Sequence, residues 1–95
     1  MAVSADYLAK IRRGVRINSD DDFNAELTDI IEECRLDLIS LGVTSEKAND
    51  EEDSLILGAV RSFARWKFGI DTDEKNRDDY MLQRDELRRK SEYGA

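Results

Sequence analysis

The chain has no histidine, no proline and a single cysteine among its 95 residues. Without histidine it lacks the one side chain that titrates near neutral pH unaided. Ser–His and Cys–His nucleophile pairs are excluded for the same reason. One cysteine excludes an internal disulfide and a cysteine-based zinc site. The five glycines are scattered, so no glycine-rich loop is present to cradle a phosphate. No apolar run approaches the ~20 residues of a membrane span. Met1-Ala2-Val3-Ser4 carries no basic stretch leading into an apolar one, so no secretory signal is expected. These absences point away from an enzyme and from any cofactor, and the lack of proline fits helices joined by short turns.

What the chain does have is helical patterning. From Phe23 to Leu41 the apolar residues are Phe23, Leu27, Ile30, Ile31, Cys34, Leu38 and Leu41. Steps of three and four place them on one helical stripe, with Cys34 expected as a buried, reduced thiol. Ser19 to Asp21 offer a cap for this helix and Gly42 a left-handed stop. The spacing thus predicts a helix over about 20–41. A first helix precedes it, capped by Ser4 and stopped at Gly14, with Val15 and Ile17 alternating as an extended link. Val43 to Asn49 reads as a loop in which Thr44 or Ser45 with Glu46 nucleates one turn.

Asp50-Glu51-Glu52-Asp53 gives the next helix, about 51–68, an N-terminus of the right sign. Its apolar residues, Leu55, Ile56, Leu57, Ala59, Val60, Phe63, Ala64, Trp66 and Phe68, cover over half the circumference. A helix resting on a core from one side needs a narrower stripe. This one is therefore central, or it also meets another subunit. Lys67 falls inside the apolar arc, where its stem can lie on the core while its ammonium reaches water. A last helix, about 74–90, has only Tyr80, Met81, Leu82 and Leu87 to bury. Residues 91–95 read as a frayed tail. The expected fold is one all-α domain over 1–95: a bundle of about four helices built on the long antiparallel pair 20–41 and 51–68.

The formal net charge is −7, the wrong sign for a general nucleic-acid binder. The charge is also uneven. Residues 1–17 hold four bases and one acid, 18–53 thirteen acids and two bases, and 54–70 three bases and no acid. Such poles favour head-to-tail contact between copies.

Asn18, Asp20, Asp22, Asn24 and Asp29 have part of the spacing of a calcium loop. Phe23 stands where that loop needs glycine, and its bidentate glutamate is missing. Helix capping accounts for these residues, and no metal is expected. Glu32, Glu33 and Asp37 lie off the apolar stripe, so they read as solvated rather than as an acid–base pair. Leu36 and Ile39 lie on the far side of that helix, above Ala25. They are either scattered exposed residues or a second stripe that a neighbouring copy covers.

Several features run together: Leu8-x-x-Ile11 leading to Val15-Arg16-Ile17, the acidic Asp20-Asp21-Asp22, and Leu27-x-x-Ile30-Ile31 with Arg35, Leu38 and Gly42. Ala59-Val60, Phe63 and Lys67-Phe68-Gly69 follow, and then Tyr80, Leu87, Ser91 and Tyr93. In this pattern the chain resembles the small head–tail connector proteins of long-tailed bacteriophages and prophages, also called adaptor, head-completion or DNA-packaging proteins. The resemblance implies a ring of about twelve copies, closed by a heterologous interface, beneath the portal protein at the capsid vertex. Such a ring extends the DNA channel, binds no DNA specifically and meets head-closure or tail-completion proteins. The implied location is the virion head–tail junction, after assembly in the host cytoplasm.

On that reading the subunit interface sets Lys10, Arg12, Arg13 and Arg16 against Asp29, Glu32, Glu33 and Asp37. Leu36, Ile39 and Trp66 add apolar contact, and the channel wall is acidic or neutral. Arg88, Arg89, Ser91 and Tyr93 are the expected portal contacts, and removing 91–95 should leave the fold intact. The alternative from another class is a small acidic regulator, antitoxin-like or an anti-repressor, that occupies a basic partner surface as a defined dimer or heterodimer.

Overall fold

A computed structural model describes residues 3–15, 24–68 and 73–94. Five helices occupy them: α1 Ala5–Val15, α2 Asn24–Leu41, α3 Ser45–Ala48, α4 Ser54–Phe68 and α5 Asp73–Arg89. Among the described residues the one other regular feature is an isolated bridge between Val43 and Gly94. The all-α bundle expected from the periodicity is the fold observed. A radius of gyration of 12.6 Å matches the ~13 Å of a single packed body of this length.

The α2 stripe faces inward as its spacing requires. Leu27, Ile31, Cys34 and Leu38 are fully buried, and Ile30 packs against them. Phe23 and the capping residues before Asn24 lie outside the described residues. At the other end Gly42 adopts φ +118°. Its N–H bonds the Ile39 carbonyl and the Val43 N–H that of Leu38, each at 3.0 Å. That pair of bonds satisfies the orphan carbonyls of a helix end and needs the left-handed residue that glycine supplies. Thr44 then caps the short α3 by accepting the Lys47 N–H.

The helix expected from residue 51 begins instead at Ser54. Asp53 explains the delay. Its Oδ1 accepts the N–H groups of Leu55 and Ile56 at 2.9 and 3.0 Å, so it is the cap, and 50–53 form the turn before it. α4 packs against α1, α2 and above all α5. It is thus the central helix, one of the two outcomes its broad apolar arc allowed, and it buries Ile56, Ala59, Val60, Phe63 and Ala64. Phe63 stacks edge-on to Tyr80 at 4.9 Å and to Trp66 at 5.6 Å.

Two turn assignments change. Gly14 does not stop α1, which runs through it to a buried Val15. A β-carbon at Gly14 would stand 2.6 Å from the Arg61 side chain, so glycine serves close approach of α4 rather than termination. Ile17 and the rest of the expected link lie outside the described residues. The frayed tail is in fact docked. Tyr93 is buried, its hydroxyl donates to Asp53 Oδ2 at 2.6 Å, and its carbonyl accepts the Thr44 N–H at 2.8 Å. An aromatic ring two residues from the end of the sequence supplies the burial that its polar neighbours could not.

Two carboxylates fix these junctions. Partial burial acts to raise the Glu51 pKa, but bonds from the Ser4 side chain and backbone and from Arg35 outweigh it and hold the group below its ordinary 4.5. At Asp53, burial is likewise outweighed, by the Tyr93 hydroxyl and the Ile56 and Leu55 N–H groups, and the pKa lies below its ordinary 3.8. A depressed folded pKa gives stability that is full above the unfolded value and is lost as pH falls through the folded one. Urea midpoints should therefore hold steady at mildly acidic pH and drop on acidification through and below the ordinary carboxylate values. Glu51→Gln and Asp53→Asn should start lower and show a flatter acid limb; an acid limb as steep as that of the parent chain would mean other groups govern it.

Candidate interaction surface

α2 presents its outer face as a line of like charges ending in an apolar residue. Asp29, Glu32, Glu33 and Leu36 are all exposed, at steps of three, one and three, so they share one side of the helix. Leu36 is 66% exposed. Among the described residues Asp29 and Glu32 meet no cation within 4 Å. Glu33 faces Lys67 Nζ at 3.8 Å. Lys67 behaves as its position in the apolar arc predicted. Its ammonium sits 4.4 Å from the centre of the Trp66 ring and 5.3 Å from that of Phe63, which adds cation–π attraction to the weak exposed pair.

Beside this line runs an open groove of about 430 Å³ between α2, α4 and α5. Phe63, Trp66 and Tyr80 line it, with Leu36 and Met81 beside them. Met81 is 40% exposed, and Leu82, the next residue of α5, is 64% exposed. Both were expected to bury with Tyr80 and Leu87. Only Tyr80 and Leu87 do, because α5 turns a single narrow side to α4.

The groove also holds a polar clasp. Asp37 Oδ2 accepts the Tyr80 hydroxyl at 2.6 Å and the Arg84 Nε–H at 3.0 Å. The Cys34 thiol lies 3.7 Å from the same hydroxyl. Burial pushes the Cys34 pKa up to about 12, so the thiol is protonated and inert near neutral pH. Burial, and then the charges and bonds of Cys34 and Asp37, push Tyr80 well above its ordinary value, which keeps it a hydrogen-bond donor. The clasp ties α5 to α2 and uses Asp37 internally, so the residue is not the solvated interface acid expected of it.

The other expected contacts divide in the same way. Lys10 and Arg13 are exposed on α1. Arg12 is half-buried and donates to the Asn24 side chain, so it holds α1 to α2. Arg16 lies outside the described residues. Ile39 and Trp66 are half-buried against the core, leaving Leu36 as the free member of the second stripe. Arg88, Arg89 and Ser91 are exposed, while Tyr93 is spent inside the fold. The calcium-like spacing falls mostly outside the described residues, and its described members, Asn24 and Asp29, lie on α2. Among the described residues no group of three or more His, Cys, Asp or Glu could hold a metal ion. No helix there is long and apolar enough to cross a membrane.

Two clusters were not foreseen. Arg35 is buried, pairs with Glu51 Oε2 at 3.2 Å and lies over the Tyr7 ring at 5.3 Å. Glu51 Oε2 also accepts the Ser4 N–H at 3.0 Å, and Oε1 accepts the Ser4 hydroxyl. Arg35 stands four residues after Ile31 and three before Leu38, so the wheel alone places it on the buried stripe. The second cluster sets Arg61 and Arg65 of α4 against Gly14 of α1. Arg65 Nε–H donates to the Gly14 carbonyl at 2.7 Å, and the Arg61 chain crosses the glycine. The uneven charge along the chain was the available signal, since two basic segments had to meet if the first helix packed on α4.

No family model, no curated protein and no solved structure matches this chain.

Proposed function

We propose that this chain is a structural subunit of a phage or prophage head–tail junction. It joins copies of itself into a ring that continues the DNA channel between the portal and the tail-completion proteins. The observation that carries this reading is the groove beside Leu36. The chain buries a complete core, yet Leu36 at 66% and Met81 at 40% exposure stand at an open aromatic recess beside Trp66. The two charged pairs lining that recess, Glu33–Lys67 and Asp37–Arg84, are already matched within the chain. What is left to contact is apolar, which suits a permanent neighbour better than a soluble ligand. The sequence pattern and the small all-α bundle support the same reading, and the net charge of −7 favours a channel wall that does not hold passing DNA. Arg88, Arg89 and Ser91 are the exposed candidates for the portal.

Leu36→Asp tests the reading. The residue is mostly exposed, so the change should move stability by no more than about 0.5 kcal/mol. Assembly with portal protein, read as mass by light scattering and as rings by electron microscopy, should fall at least tenfold, about 1.4 kcal/mol in association. Rings at wild-type yield would remove the groove from the interface. A defined one-to-one complex with a basic partner, and no ring with portal, would favour the small acidic regulator instead.

A further inference from the structure

Among the described residues two glycines lie within helices, and they are there for opposite reasons. At Gly14 the Arg61 side chain leaves no room for a β-carbon. At Gly58, in the interior of α4, there is room: a β-carbon would meet only Gln83 Nε2, at an ordinary contact distance of 3.6 Å. Glycine is the least favourable residue in a helix interior after proline. The packing of α4 on α5 does not call for it, and alanine would suit the lone fold better. Gly58 lines an open groove of about 260 Å³ between α4 and α5. Leu55 stands half exposed at its edge, and the buried Leu87 is part of its wall. Bare helix backbone at an open apolar groove lets a side chain from outside come closer than any other residue there would allow.

This groove matches in kind the recess beside Leu36. Each is open, and each has one projecting leucine at its edge. α5 separates the two. Its Met81 lines the Leu36 recess and its Lys90 the Gly58 groove, and nine residues set them half a turn apart on a wheel of ~100° per residue. Of the four large apolar residues exposed among the described ones, Met81 belongs to the Leu36 recess and Leu82 lines neither groove. Leu55 is thus the one that pairs a knob with a second groove. Charge fits as well. α2 brings Glu32 and Glu33 close to Leu36, and Lys67 stands beside Glu33. The Gly58 groove has Lys90 on its rim, at the basic end of α5, and Glu86 as its one acid.

We infer that Leu36 of one copy seats in the Gly58 groove of the next, while Leu55 of that next copy enters the Trp66 recess of the first. The contact leaves Glu32 and Glu33 to pair with Lys90, and Lys67 with Glu86. The two surfaces are unlike and lie on different flanks of the chain, so the contact is head-to-tail and can close into a ring. The inference rests on the ring-forming reading above and names the surface that meets Leu36.

Gly58→Ala tests it, because its two effects run in opposite directions. The lone fold should gain, with a melting midpoint at low protein concentration about 4 °C higher. Self-association, followed by sedimentation with and without portal protein, should weaken by about threefold or more. Gly58→Leu fills the groove and should weaken it by about tenfold or more. A disulfide trap then identifies the partner. Leu36→Cys and Gly58→Cys chains, mixed and treated with diamide, should join to each other and give little dimer separately. The native Cys34 is buried and adds no background. If Gly58→Leu unfolds, the alanine variant and the trap decide.

Association that survives both Gly58 substitutions but not Leu36→Asp would overturn this seam and leave the ring reading in place. A disulfide that links only two Leu36→Cys chains would do the same. A midpoint lowered by Gly58→Ala would show that α4 and α5 need the glycine for themselves, and would also overturn the seam. A wild-type chain that stays monomeric with and without portal protein would overturn both readings.

Discussion

Replacing Tyr93 with alanine is expected to lower the thermal midpoint by about 15 °C. The estimate follows from about 3 kcal/mol for truncating a buried aromatic and about 5 °C per kcal/mol in a domain of this size. Tyr93 is 6% exposed, and three separate contacts from α3 and the start of α4 lean on it. Its carbonyl receives the Thr44 N–H at the start of α3. Its hydroxyl bonds Asp53, the residue that caps α4. The Lys47 ammonium lies over its ring at 5.3 Å. Loss of the ring loosens all three, so the effect is not confined to the last turn of the chain. Tyr93→Phe keeps the ring and loses the hydroxyl, which should cost about 1 kcal/mol. Deletion of 91–95 should match the alanine variant. Differential scanning calorimetry decides the matter: a truncated chain that melts with the parent would show a detachable tail, and α5 would then be held by α4 and Asp37 alone.

The tail shows where sequence reasoning ran short. Regular elements were legible because they repeat: four residues of the α2 stripe are fully buried, and α4 proved central because its apolar arc was too wide for one neighbour. Gly42 was legible because a helix stop needs a left-handed residue. Tyr93 is a single side chain with no period, and its polar neighbours Ser91 and Glu92 outweighed it in any local average. Gly14 misled for a related reason. A glycine near basic residues resembles a helix end, while the close approach of Arg61 depends on a helix fifty residues away. Asp37 looked solvated because it lies off the α2 stripe, yet its partners Tyr80 and Arg84 come from α5.

The surface was legible only as charge and surplus grease. Segment charges showed that basic and acidic poles exist, but Arg61 and Arg65 joined the basic pole through packing. Of the apolar residues expected at the subunit interface, Leu36 alone is free. Ile39 and Trp66 reach partly into the core because the bundle is wider than two helices. The exposed Met81 and Leu82 were hidden from the wheel by a different fact. In a helix as charged as α5 every apolar residue looks needed for docking, and here two of the four suffice.

Arg35 carries the other large expectation. Arg35→Ala should destabilise the chain by about 3 kcal/mol, because it empties the space filled by a buried side chain and also removes the ion-pair partner of Glu51. Among the described residues the guanidinium is the one cation on Glu51, whose other hydrogen bonds come from Ser4. Its stem and its face over Tyr7 also fill space between α1 and α2, and alanine leaves that space empty. Two contributions are thus mixed in one substitution, and a second variant separates them. Arg35→Met keeps the packing and loses the charge. Glu51 remains partly solvated, with its side chain 26% exposed, so water can take over much of what the guanidinium supplied. Methionine should therefore recover more than half of the loss seen with alanine. Pairing it with Glu51→Gln should recover more still, since a buried ion pair exchanged for neutral, well-packed groups is often neutral in stability. Urea unfolding of the four chains at neutral pH gives the ordering directly. If methionine and alanine destabilise equally, the charge itself holds α1 to the bundle, and the ion pair rather than the packing is what fixes the first helix.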